Sequence, residues 1–137
     1  TASIASSLTV DSLQSGIEKL DDLRGERVGV IEASSGAAFL EDQAIRYRSF
    51  STLDRLMAAL ETGEVAAVVH DRPILRYELA QREVQSLSVL PVVLQPQGYA
   101  FGLPSRSALK EPVNRALLEI IQDEGWRATL SDYLGDI

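Results

Sequence analysis

Two short stretches hold residues able to do chemistry on a small charged molecule. In Glu32-Ala33-Ser34-Ser35-Gly36-Ala37, two hydroxyls precede a glycine and an alanine. Where such a turn opens a helix, the small residues leave unpaired N–H groups open to an anion. The hydroxyls of Ser34 and Ser35 can add charge-assisted hydrogen bonds to a carboxylate, each worth about 1.5 to 3 kcal/mol. In His70-Asp71-Arg72-Pro73, a carboxylate precedes, across Arg72, a proline suited to a first helical turn, so Asp71 can face an ammonium group at a strand end. Serine and aspartate are also ordinary N-caps, and both turns allow that simpler use. The two roles are compatible. A turn for a carboxylate and a carboxylate for an ammonium, on adjacent strand ends, together suit an α-amino acid zwitterion, whose two charges both need partners once desolvated.

Other chemistries find less support. A hydrolytic triad around His70, the single histidine, would need a Gly-x-Ser-x-Gly elbow, and none occurs. The acidic pairs Asp21-Asp22 and Glu41-Asp42 fall near helix starts, where they favour the helix dipole and face solvent, so no metal site is expected. There is no Gly-x-x-x-x-Gly-Lys loop, and Gly98 and Gly102 belong to a predicted strand, so no cofactor is expected. With 0 cysteines, disulfides and thiolate ligands are excluded. A net charge of -7 and a pI near 4.7 oppose nucleic acid and anionic lipid surfaces as partners.

These turns need a frame, and the order of elements supplies one. Ile17, Leu20 and Leu23 have helical spacing before Gly25, and Val28–Ile31 reads as a buried strand leading through Ser34-Ser35-Gly36 into a helix that ends about Arg46. Tyr47–Phe50 is a second strand, and Thr52 or Ser51 can cap a helix with Leu53, Leu56, Met57 and Leu60 on one stripe. Val65–Val69 is a third apolar strand, followed by a helix from Asp71-Arg72-Pro73 to Arg82. Val89–Leu94 and Gly98–Leu103 are predicted as separate strands flanking a Gln95-Pro96-Gln97 break. Leu109, Val113, Ala116, Leu117 and Ile120, then Trp126, Leu130, Tyr133 and Leu134, mark two amphipathic core helices. The class is α/β, with a mixed or mostly parallel sheet flanked by helices.

The residues now carry a resemblance. Gly63-Glu64-Val65-Ala66-Ala67-Val68-Val69-His70-Asp71-Arg72-Pro73 resembles the ammonium-binding segment of bacterial amino-acid-binding proteins, family 3 of the periplasmic-binding-protein-like type II fold. Leu20-Asp21-Asp22-Leu23-Arg24-Gly25 and Val28-Gly29-Val30 match that family's entry to its carboxylate-binding turn. Thr1-Ala2-Ser3-Ile4-Ala5-Ser6-Ser7-Leu8-Thr9-Val10 is similar to the pore-lining gate of ionotropic glutamate receptors, matching at Thr1, Ala2, Ala5, Leu8, Thr9 and Val10, with Ser7 in place of a large aromatic. The resemblance implies that Ser35 presents its N–H and hydroxyl to a ligand carboxylate, that Asp71 meets the ligand ammonium, and that Gly36 stands where glutamate receptors place a threonine. Losing that hydroxyl removes support for a side-chain carboxylate on the ligand.

On this resemblance the chain reads as part of a prokaryotic glutamate-receptor-like channel subunit. Residues 1–10 are then the end of the gate helix and its linker, 11–97 ligand-binding lobe 2, and 98–137 an interlobe crossing strand with C-terminal helices returning to lobe 1. The resemblance further implies an amino-acid ligand, lobe 1 and pore helices elsewhere in the same subunit, a homotetramer, ion transport of the potassium-channel kind, and attachment to the inner membrane with the ligand site on the periplasmic or extracellular side. The expectation is binding without catalysis. A free amino-acid-binding protein of an uptake transporter is the alternative, and a dehydratase on the same fold would need a general acid, for which only Glu32 and His70 offer themselves. Leu109, Val113, Leu117, Trp126 and Leu130 are expected to pack on another chain or fold back on lobe 2.

Overall fold

The structure is a computed structural model describing residues 3–11, 16–82 and 86–134. Val28 and Val30 face one side of a sheet while Gly29 and Ile31 face the other, as a period of two requires. That strand, Val28–Ile31 (β2), pairs in parallel with Tyr47–Phe50 (β3) and with Ala67–Asp71 (β4). Two further strands, Ser3–Asp11 (β1) and Leu87–Gly98 (β5), complete a five-stranded sheet of order β3-β2-β4-β1-β5, in which β1 is antiparallel to both neighbours.

Helices cover both faces. Ser35–Asp42 (α1) packs Ala37 and Leu40 on Val28, Val30, Ala67 and Val69. On the other face Leu53–Glu61 (α2) and Arg72–Arg82 (α3) bury Leu56, Met57, Leu60 and Leu75 with Val65 and Val68. Gly29 permits that approach: a Cβ there would lie 2.8 Å from the Leu56 Cδ1. Capping follows the sequence at Thr52, whose hydroxyl accepts from the Arg55 N–H at 3.3 Å.

Several expectations are corrected. The helix end expected over residues 1–10 is instead β1 across Ser3–Asp11, consistent with the period-two placement of Ile4, Leu8 and Val10; Thr1 and Ala2 lie outside the described residues. The helix expected before Gly25 is a short 3-10 turn, Leu20–Leu23, because the Asp22 carboxylate accepts from the N–H groups of Glu18 and Lys19 at 2.9 and 3.1 Å; the Glu18 bond is the main cause holding its pKa below the usual carboxylate range. α1 stops at Asp42 rather than near Arg46: Ala44 turns left-handed with φ 53°, the Ile45 N–H reaches the Leu40 carbonyl at 2.9 Å, and Ile45 is buried. The break expected at Gln95-Pro96-Gln97 does not interrupt β5, since β5 is an edge strand, where proline is tolerated. Tyr99–Leu103 forms no strand.

The last two helices, Lys110–Gln122 (α4) and Glu124–Leu134 (α5), form where expected, but neither contains a buried residue. They are not core helices of this chain. α5 touches α3 and α4, Val113, Leu117, Trp126 and Leu130 are half-buried, and Leu109 is 59% exposed.

Candidate functional site

The first turn is built by the end of β2. Glu32 donates its N–H to the Phe50 carbonyl at 3.0 Å, and Ala33 then takes a left-handed φ of 53°, a conformation a residue with a Cβ seldom adopts. Ser34 is the N-cap of α1: its Oγ accepts from the Ala37 N–H at 3.1 Å and donates to the Ile31 carbonyl at 2.7 Å. Its one hydroxyl proton is thereby committed, so the expected hydroxyl donation from Ser34 to a ligand is not available in this arrangement. Ser35 is exposed and Gly36 buried. The first intrahelical bond runs from the Ala38 N–H to the Ser34 carbonyl at 3.1 Å, which leaves the N–H groups of Ser35 and Gly36 without an intrahelical acceptor. Glu32, exposed, does not cap the helix; Ser34 does. A Cβ on Gly36 would lie 3.1 Å from Val30 Cγ2 and 3.2 Å from the Val69 carbonyl, so glycine lets the helix start sit down on β2 and β4.

The second turn closes β4. Asp71 is its last residue, half-buried, and α3 begins at Arg72. Tyr99 donates its hydroxyl to Asp71 Oδ2 at 2.6 Å. Burial first, then this hydrogen bond and the Asp71 charge, push the Tyr99 phenol up to about 12. His70 is pushed below the ordinary imidazole range by burial, with the charges of Asp71 and Glu78 opposing the shift. It is therefore neutral at physiological pH. Arg72 donates from Nη2 to the Leu90 carbonyl at 3.2 Å, and its Nε is buried without a hydrogen-bond partner among the described residues. Sequence reasoning missed Tyr99 because it was assigned to a strand; a polar-tipped aromatic just after Gly98 was the available signal.

Parallel pairing of β2 with β4 brings both turns to one edge of the sheet, beyond the carboxyl ends of adjacent strands. The contact of Gly36 with Val69 puts the start of α1 against β4 just before Asp71. Free N–H groups at a helix start and a carboxylate on the next strand are thus neighbours, an arrangement that can hold opposite charges of one small molecule. An open groove of about 570 Å³ runs along β3 and α2; Glu32, Arg48, Phe50, Arg55 and Glu64 line it, while Ser35 and Asp71 do not. Among the described residues no group of three acidic or histidine side chains can hold a metal, and no helix is long and apolar enough to cross a membrane.

No protein-family model matches the chain. The curated protein Glutamate receptor 2.9 of Arabidopsis thaliana is 30% identical over 131 residues, 90% of this chain and 14% of the receptor. Among solved structures, the GluR0 ligand-binding core in complex with L-glutamate aligns with a TM-score of 0.84 at 22% identity, over 97% of this chain and 61% of that one. The GluR0 core from Nostoc punctiforme, also with L-glutamate, gives 0.77 at 23%, over 98% and 62%. The second substrate-binding domain of a putative amino acid ABC transporter from Streptococcus pneumoniae gives 0.76 at 28%, over 96% and 61%. The chain therefore spans about three fifths of these solved domains and a small part of the plant receptor.

Proposed function

From the premise that this chain has the periplasmic-binding-protein-like type II fold, glutamate-receptor-like in kind, we propose that it is the second ligand-binding lobe of an amino-acid-gated ion channel. The observation that carries the reading is the placement of the Ser34–Gly36 helix start and the Asp71 carboxylate on adjacent parallel strand ends. Ser35 and Gly36 offer backbone N–H groups to the ligand carboxylate, Ser34 shapes the turn as its cap, and Asp71 takes the ammonium. The likeness to GluR0 cores that hold L-glutamate supports an amino acid as ligand. Gly36 brings no hydroxyl to the turn, and a side chain there would press on Val30 and the Val69 carbonyl, which favours ligands other than glutamate.

In this reading residues 98–137 return to lobe 1, and the apolar stripes of α4 and α5 find their partner there. Ligand held by lobe 1 recruits Ser35 and Asp71, the cleft closes, and β1 transmits the movement to pore helices of the same subunit. That requires the ligand to bind the closed state more tightly than the open one. Homotetrameric assembly, ion transport and a periplasmic or extracellular site at the inner membrane belong to the same proposal. The role is binding, in keeping with the likeness to ligand-binding domains.

A second reading, the binding protein of an amino-acid uptake transporter, is favoured by β1, which is a strand of the lobe rather than the end of a gate helix, and by the likeness to the streptococcal substrate-binding domain. Pore helices flanking the lobe in the full protein decide for the channel.

The site itself is tested by calorimetric titration of the full two-lobed protein with amino acids. Loss of one partner of a desolvated ion pair costs about 2 to 5 kcal/mol, so Asp71→Asn should weaken binding roughly thirty- to several-thousand-fold. Asparagine still accepts from Tyr99, so a merely structural Asp71 would leave affinity unchanged.

A further inference from the structure

Arg72 follows Asp71 directly, and its guanidinium makes a contact that ligand binding does not call for. The cause lies in β5, which is out of step with its neighbour. Ser7 of β1 pairs with Val93 and Thr9 with Val89, so a step of two residues on β1 spans four on β5. Leu90, Pro91 and Val92 contain the surplus, and Pro91 brings no N–H to the ladder. Arg72 Nη2 donates to the Leu90 carbonyl at 3.2 Å, reaching past β1 to do so. Just beyond the far end of β5, Tyr99 returns to Asp71 Oδ2 at 2.6 Å. The Asp71–Arg72 corner is therefore tied both to the irregular part of β5 and to the residue that follows its last one.

A guanidinium is a rigid planar fork, and this one keeps a buried Nε without a partner among the described residues. Native proteins rarely retain such an unmet donor. The geometry points to Arg72 as a positioning residue for Asp71: by holding the Leu90–Val92 bulge it sets where Tyr99 meets the Asp71 carboxylate, and so which carboxylate orientation a ligand finds. The ligand half of this inference rests on the proposed reading of Asp71 as the ammonium partner; the coupling between Arg72 and Tyr99 does not.

The test uses the full protein with Arg72→Leu, Arg72→Lys, Tyr99→Phe and the double variant Arg72→Leu/Tyr99→Phe. Phenolate absorbance, with Tyr99→Phe subtracted to isolate Tyr99 from the other tyrosines, follows the phenol; calorimetry with free amino acids follows affinity. In Arg72→Leu the Tyr99 phenol should fall from about 12 toward the ordinary value near 10. Affinity should drop about tenfold, Arg72→Lys should recover most of both effects, and Arg72→Leu should add no further loss of affinity on top of Tyr99→Phe. Should the leucine variant not fold, Arg72→Gln, too short to reach Leu90, replaces it. An unmoved Tyr99 phenol, or losses of affinity that simply add, would overturn the inference. If Asp71→Asn leaves affinity unchanged the ammonium reading fails, while the phenol titration still decides whether Arg72 positions this corner.

Discussion

The small residues of the first turn have separable duties that a sequence cannot sort by type. Ser34 spends its hydroxyl on the helix and the strand end, Ser35 stays exposed, and Gly36 is there because the helix start presses on Val30 and Val69. Gly36→Ala therefore forces a shift of backbone or of Val30, since the nearest atoms would lie 3.1 and 3.2 Å from the new Cβ. A loss of about 1 to 3 kcal/mol is expected, read as a lower thermal midpoint; an unchanged midpoint would mean that the helix start has slack. The helix start at the serine pair and the strand-end position of Asp71 were legible because their signals are local. Tyr99 was not, since its role depends on where the chain returns after β5, and Ala33 was not, since alanine gives no hint of its left-handed φ of 53°.

Elements with strong local signals were legible: β2, β3, α2 and α3 form close to where apolar spacing and caps put them. The misplacements fall where pairing decides. β1 has small residues that suit a membrane helix, yet its position between β4 and β5 is a tertiary outcome, and the prolines of β5 look like breaks only until the strand is known to lie at an edge. Between helices, Arg82 at the end of α3 donates to Glu78 at 3.0 Å and reaches Glu61 and Asp54 of α2 at 3.2 and 2.8 Å. Its hydrogen bond to Glu78 is the main cause raising its pKa. Asp54 is 90% exposed and contributes little, so the tie rests on Glu78 and Glu61. Arg82→Met should lower stability by about 1 to 2 kcal/mol at low salt. The deficit should shrink in concentrated salt when denaturation curves are compared, and a salt-independent deficit would assign the effect to packing instead.

At the scale of the whole molecule, the sheet and its two helical covers make a closed unit, while α4 and α5 extend from it with Leu118 57% and Tyr133 61% exposed. Their periodicity was legible; what they pack on was not, because an amphipathic stripe states that a partner exists without saying where. If lobe 1 is that partner, backbone amides of α4 should exchange with solvent at least about tenfold faster in the isolated chain than in the full protein. Equal protection in both would refute the return of these helices to lobe 1. The position of β1 between β4 and β5 has a kinetic meaning as well. The β2-β3-β4 portion, joined by short helical crossovers, can assemble from neighbouring sequence, whereas β1 must be held back until β4 and β5 have emerged. Of these five strands, the one earliest in sequence is thus among the last to be placed. Such distant pairing slows folding and leaves that strand's hydrogen-bonding groups unpaired for longest, making it the segment most in need of a chaperone during synthesis.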